Sequence, residues 1–91
     1  MPHIIIPAAL RNRMREPVSN LHLDSATVGD ALRTLAERHP ELADILFTQE
    51  GEPRPTLRIF VADRPIEESD GLKTAVGSDE EIVLLSPIAG G

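Results

Sequence analysis

The last residues of the chain, Ala89-Gly90-Gly91, are the grouping whose types point to a specific chemistry. Two glycines carry no Cβ, so they can pass through a channel that another dipeptide would block. At their tip stands an α-carboxylate, a poor acyl donor because its leaving group would be oxide. Joined to a nucleotide as a mixed anhydride it becomes a good one, with AMP as the leaving group. That step needs the carboxylate oxygen within about 3 to 3.5 Å of the α-phosphorus, and a side chain on the last residue would obstruct the approach. A passive stub is the plainer reading, since termini are often disordered and rich in small residues.

The other candidates carry less. His3, His22 and His39 share no metal-ligand spacing and come without cysteine, so no metal site is expected. Asp79-Glu80-Glu81 reads as a solvated turn rather than a cation site. Gly71 beside Asp70 is a turn signal, not a phosphate loop, and no Ser/His/Asp grouping has catalytic spacing. The absence of cysteine removes disulfides, thiolate zinc sites, side-chain persulfides and thioester-forming nucleophiles. Any sulfur handled here must sit elsewhere than on a cysteine, and no enzyme activity of the chain's own is expected.

The elements that must hold the tail are short. His3-Ile4-Ile5-Ile6-Pro7 reads as a strand buried on both faces. The polar, proline-ended segment Arg11 to Pro17 reads as a long turn. From Val18 to Asp24 the pattern alternates, Leu21 and Leu23 on one face, Asn20, His22 and Asp24 on the other, which is a strand with one solvated side. An N-terminal hairpin follows. Thr27 to Arg38 is the clearest helix: Thr27 and Asp30 resemble a capping box, and Val28, Ala31, Leu32, Leu35 and Ala36 form one apolar stripe. Pro40 stops it, and Glu41 to Phe47 adds a further turn or two, with Leu42, Ile45 and Leu46 inward.

Gln49 to Thr56, with one Gly and two Pro, is a loop. Leu57 to Ala62 is a strand with Leu57, Ile59 and Val61 on one face, turned by Asp63-Arg64-Pro65. Leu72 to Val76 is a small strand or turn, and Gly77 to Glu80 a turn. Glu81 to Leu85 is the last strand, its four apolar residues suggesting a central position covered on both faces or, on one of them, by a partner. The expected fold is α+β: a mixed four- to five-stranded sheet with one main helix on one face. Residues 1–86 form the single domain and 87–91 a flexible C-terminal tail, Pro87 setting the tail's exit direction with its locked φ.

With 91 residues there is room for one small domain. Two phenylalanines and no Trp or Tyr make its core aliphatic. A net charge of −6 argues against non-specific nucleic-acid binding, which needs a basic stripe. It fits electrostatic steering towards a basic partner, or simply solubility. No apolar stretch approaches the roughly 20 residues of a membrane span, and no signal-peptide pattern opens the chain, so a cytoplasmic location and no membrane association are expected.

Taken with its tail, the layout resembles the β-grasp sulfur carriers of the MoaD and ThiS kind, relatives of ubiquitin. The similarity is concentrated in "VADRPI", "DGLKTAV" and "SDEEIVLLSPIAGG", which look like the family's strand, its Gly-Leu-x-Thr segment, its acidic turn and its final strand with Gly-Gly. The opening "IIIPAALR" is similar to the cysteine-biosynthesis (CysO) branch. Three positions depart from the family: Ala62 where Asn is usual, Asp79 where the turn usually has Gly, and Ser86 where Pro is frequent. Asp tolerates the left-handed conformation better than most residues, so the turn can survive.

The resemblance implies a protein co-substrate with no bound cofactor. Gly91 would supply the reacting carbonyl, adenylated with ATP by an E1-like adenylyltransferase of the MoeB/ThiF type and converted to a thiocarboxylate. Gly90 and Ala89 would thread the partner's active site behind it, with Ile88 and Pro87 fixing the exit. A sulfur-consuming synthase is the second implied partner, a metalloprotease or sulfurtransferase a further one, and the free protein is expected to be a monomer. Ile59, Phe60, Ile82 and Leu84 are the candidates for an apolar docking patch on the uncovered sheet face, with the outward side of the last strand left open. Molybdopterin, thiamine, cysteine-type amino acids and specialised metabolites all draw on such carriers; the N-terminal similarity points to the cysteine type. The alternative is a ubiquitin-like modifier joined to lysines through Gly-Gly, using the same activated carboxylate with an amine as nucleophile. A binding module with a passive tail is the third reading.

Overall fold

The computed structural model describes residues 1–85; the expected tail, 87–91, and Ser86 lie outside them. The elements are β1 (His3–Ile5), α1 (Ala8–Arg11), β2 (Asn20–His22), α2 (Val28–Arg38), α3 (Ala43–Leu46), β3 (Arg58–Val61), β4 (Arg64–Pro65) and β5 (Glu81–Leu85). The strands form one mixed sheet in the order β2-β1-β5-β3-β4. β1 pairs antiparallel with β2 and parallel with β5, and β3 lies antiparallel to both β5 and β4. The expected N-terminal hairpin is therefore present, and the helical segment carries the chain from it to the far half of the sheet.

α2 starts where the side chain of Thr27 accepts a hydrogen bond from the Asp30 amide at 3.2 Å, satisfying one of the helix's orphan donors. Its stripe of Val28, Ala31, Leu32 and Leu35 is buried, with Ala36 packed at the margin. It covers the sheet face formed by Ile4, Ile59, Val61, Ile82 and Leu84, each 6% exposed or less. Leu42 and Leu46 extend this core beyond the helix's end.

The segment Arg11 to Pro17, expected as a long turn, is preceded by a helix that ends at its first residue: the Leu10 and Arg11 amides both donate to the Pro7 carbonyl, making α1 and burying Leu10. Met14 is buried as well, so the loop itself carries a core anchor despite its arginines. The turn expected at Asp63-Arg64-Pro65 is displaced. Ala62 and Asp63 make it, with φ of 51° and 68°, and Arg64-Pro65 is β4. Two consecutive left-handed residues give the reversal that suits a twisted hairpin, and Pro65, lacking an N–H, sits on the edge strand where none is needed. Asp79 is not left-handed; among the described residues the only non-glycine positive φ angles are those of Ala62 and Asp63. Leu72 to Val76 is no strand: Gly71–Lys73 is a 3-10 turn, and Ala75 makes an isolated bridge to Thr27.

Neither β1 nor β5 is covered on both faces. β5 is central, between β1 and β3, but its burial alternates: Ile82 and Leu84 are core, Val83 is half-buried and Leu85 is 48% exposed. One helix layer covers one face of the sheet, and among the described residues no element covers the other.

Candidate functional site

The open face of the sheet is built by strand parity. In β5, Glu81, Val83 and Leu85 share the side opposite to Ile82 and Leu84, and register carries that side across the sheet. Asn20, Ile5, Val83, Phe60 and Pro65 are successive partners from β2 to β4. Ile5, Val83 and Phe60 are half-buried and form the apolar centre of this row. Next to it towards the C-terminal end, Leu85 is paired with Arg58, whose guanidinium lies 5.5 Å from the Phe60 ring centroid. An arginine over an aromatic face is attracted by the ring's quadrupole and leaves its N–H groups available.

On the other side of the apolar row runs a polar one, His22, His3 and Glu81 on three adjacent strands. The two imidazole centroids are 5.2 Å apart, and His3 Nε2 is 3.2 Å from Glu81 Oε2. His39 is elsewhere, 3.7 Å from Glu41. Of the acidic run, Glu81 meets His3, and Glu80 accepts the Gly77 amide at 2.6 Å. Among the described residues no group of three or more His, Asp or Glu side chains is arranged to hold a metal ion.

The expected docking set divides on this geometry. Phe60 lies on the open face. Ile59, Ile82 and Leu84 do not: they are 2%, 1% and 1% exposed, beneath α2, and cannot meet a partner without unfolding the core. Apolar contact on this face falls instead to Val83, Ile5 and Leu85. The alternation within Glu81 to Leu85 holds the signal, but an all-apolar run does not say which parity faces the helix. The residues expected to carry the chemistry, Gly91, Gly90, Ala89, Ile88 and Pro87, lie outside the described residues. β5 directs the chain towards them from the centre of the sheet.

A carboxylate fixes the loop that follows α1. The Arg15 amide donates to the Glu41 carboxylate at 2.9 Å, and this bond, ahead of the attraction of His39 and the Arg15 charge, holds the Glu41 carboxyl below the usual glutamate range. Lys73, the chain's single lysine, is exposed at the rim of a 610 Å³ groove floored by Leu57, Ile66 and Leu72.

Comparison with known proteins places this arrangement. The model of the ThiS family matches residues 4–91, and the chain belongs to that family. It is 35% identical over 68 residues to small archaeal modifier protein 3 of Haloferax volcanii, covering 75% of this chain and 73% of that protein. Its fold superimposes on the crystal structure of SAMP1 from Haloferax volcanii with a TM-score of 0.82 at 26% identity, covering 99% and 98% of the two chains. The crystal structure of the Amycolatopsis orientalis BexX/CysO complex contains a chain with a TM-score of 0.86 at 23% identity, each chain covered completely. The fold is thus the ubiquitin-like β-grasp, and the family's small proteins are modifiers or sulfur carriers rather than enzymes.

Proposed function

We propose that this member of the ThiS family is a sulfur carrier whose Gly91 carboxylate is activated by an E1-like adenylyltransferase and converted to a thiocarboxylate. In the first step a carboxylate oxygen attacks the α-phosphorus of ATP and pyrophosphate leaves. Hydrosulfide then attacks the acyl carbon and expels AMP, leaving the thiocarboxylate. With a persulfide as donor the product is an acyl disulfide, which a thiol cleaves to the thiocarboxylate and a mixed disulfide. The thiocarboxylate sulfur is a soft nucleophile and passes to an electrophilic substrate in a synthase. ATP belongs to the activating partner, and the chain contributes the acyl group and the surface that docks it.

The observation that carries this reading is that the family match runs through residue 91 and so includes Gly90 and Gly91. Two features of the described residues support it: a central strand leading towards that segment, and the apolar row Ile5, Val83 and Phe60 beside it on a face that no described element covers. The docking surface is proposed there, with Phe60 and Val83 at its centre.

The modifier reading is favoured by a separate observation, the 35% identity to a protein named as a small archaeal modifier. It needs the same acyl adenylate, attacked by a lysine amine with loss of AMP. Intact mass after incubation with ATP, the adenylyltransferase and a sulfide source separates the two. A gain equal to sulfur minus oxygen supports the carrier, and amide adducts on other proteins support the modifier. Deleting Gly91 is expected to abolish either product; retention of sulfur transfer by the deletion variant would remove the assignment of the reactive carbonyl.

A further inference from the structure

The charges of this acidic chain are unevenly spread along β5, although Arg64, the β4 partner of Val61, stands at the acidic end. At its N-terminal end stand Asp79, Glu80 and Glu81. Register brings Asp63, in the turn after β3, and Asp24, just past β2, to the same end. At its C-terminal end the surroundings change sign. Arg58 is the register partner of Leu85. On the opposite flank β1 runs parallel to β5, and Arg11 Nη1 donates to the carbonyl of Ile6, the residue following β1, at 2.6 Å. Guanidinium groups therefore flank the strand end on both sides, and the exposed Arg13 and Arg15 follow Arg11 in the chain. Arg13 is exposed and, among the described residues, has no ion-pair partner.

The carboxylates near this end include Glu67, 3.7 Å from Arg58, Glu52, which lines one groove with Glu67 and Leu57, the exposed Glu16, and Glu41, which already serves the Arg15 amide and His39. From Ile82 to Gly91 there is no charged side chain. Five strand residues separate the ends by about 13 Å, beyond the Debye length of about 8 Å at physiological salt. A partner in contact with one end is therefore screened from the other. The net charge of −6 suggests a basic partner, but Arg11 and Arg58 stand on either flank of the end of β5.

We infer that Arg11, Arg13 and Arg58 form a basic collar that engages an acidic protein surface, the rim of the opening through which the activating partner takes up the C-terminal segment. The inference rests on the activated-carboxylate reading for the identity of that partner. The charge separation along β5 turns the collar end towards an acidic rim during encounter, raising the association rate rather than the rate of the chemical step. RNA phosphate is a poorer fit, because the carboxylate-rich remainder of the molecule repels it.

The test compares the full chain with the Arg13→Glu/Arg58→Glu double variant, leaving Arg11 to hold Ile6, and with Asp79→Lys as the opposite-end control. Binding to the E1-like adenylyltransferase encoded in the same genome is measured by surface plasmon resonance at low and high salt. The double reversal is expected to raise Kd about tenfold through kon, with the difference shrinking at high salt and turnover at saturating carrier unchanged. Asp79→Lys should change Kd less than about twofold. Equal binding by the double variant, or an equal loss in the control, would overturn the inference. A second measurement needs no activating enzyme: amide NMR shifts on titration with a hexaglutamate peptide are expected at Arg11, Arg13 and Arg58. Shifts with a single-stranded RNA oligonucleotide and none with hexaglutamate would also overturn it. Hexaglutamate shifts at the collar without binding of the wild-type chain to the adenylyltransferase would sink the activated-carboxylate reading and leave the acidic-surface assignment standing.

Discussion

Gly29, in the first turn of α2, packs against the backbone of Leu72: a Cβ at position 29 would stand 3.1 Å from the Leu72 carbonyl oxygen and 3.3 Å from its Cβ. Helix and 3-10 turn are tied together there, the Val28 amide donating to the Thr74 carbonyl at 3.0 Å. Alanine for glycine within a helix ordinarily gains about 1 kcal/mol. Here the tied backbone opposes the added methyl, so Gly29→Ala should forfeit that gain. Gly29→Val should lose about 1–3 kcal/mol from overpacking. Urea denaturation of the two variants checks this; a Gly29→Ala protein about 1 kcal/mol more stable than the parent would show that the Leu72 segment yields.

Ala62 occupies the left-handed region at φ 51°, which costs an L-residue with a Cβ roughly 1–2 kcal/mol. Asn tolerates that conformation through its short polar side chain without glycine's extra unfolded-state entropy. Ala62→Asn should therefore stabilise the fold by about 0.5–1 kcal/mol, read as a higher denaturation midpoint with an unchanged slope. An unchanged or lower midpoint would mean that the turn is not strained at this residue.

The Glu41 carboxyl, held down chiefly by the Arg15 amide, titrates below the ordinary glutamate value of 4.5. Because its folded-state value is depressed, the stability it lends is present above the unfolded value and is lost as pH falls through the folded one. Carboxyl carbon NMR should place its midpoint below the ordinary glutamate value of 4.5, with the Arg15 amide resonance moving in step. Glu41→Gln should remove the acid-side shift at Arg15; persistence of that shift in the variant would assign it to another group.

The two faces of β5 should separate stability from docking. Leu84→Ala empties a core site and is expected to cost about 2–5 kcal/mol. Phe60→Ala together with Val83→Ser removes contact area from the open face, so it should cost less stability than Leu84→Ala yet weaken binding to the adenylyltransferase by about 30-fold or more, as interface anchors do. Partner binding unaffected by the paired substitution would move the docking surface away from the sheet.

Much of this architecture was legible from local pattern. The Thr27 cap, the stripe from Val28 to Leu35 and the alternation of Leu57, Ile59 and Val61 each depend on neighbours within a few residues. The matching elements are present at or near their expected bounds. The family and its fold were legible for a related reason, since the β5 segment and the diglycine after it are contiguous in the chain. The apolar run Ile82 to Leu85 was ambiguous because either parity satisfies a hydrophobic pattern. Only pairing with Ile4 on one side and with Ile59 and Val61 on the other puts Ile82 and Leu84 under the helix and leaves Val83 and Leu85 outside. Long-range register likewise sets His3 beside Glu81, 78 residues away, and gathers arginines from distant segments at one end of β5. Local sequence specifies backbone conformation and the spacing of apolar groups. Which face becomes interior, and which charges become neighbours, follows from burial shared among strands far apart in the chain.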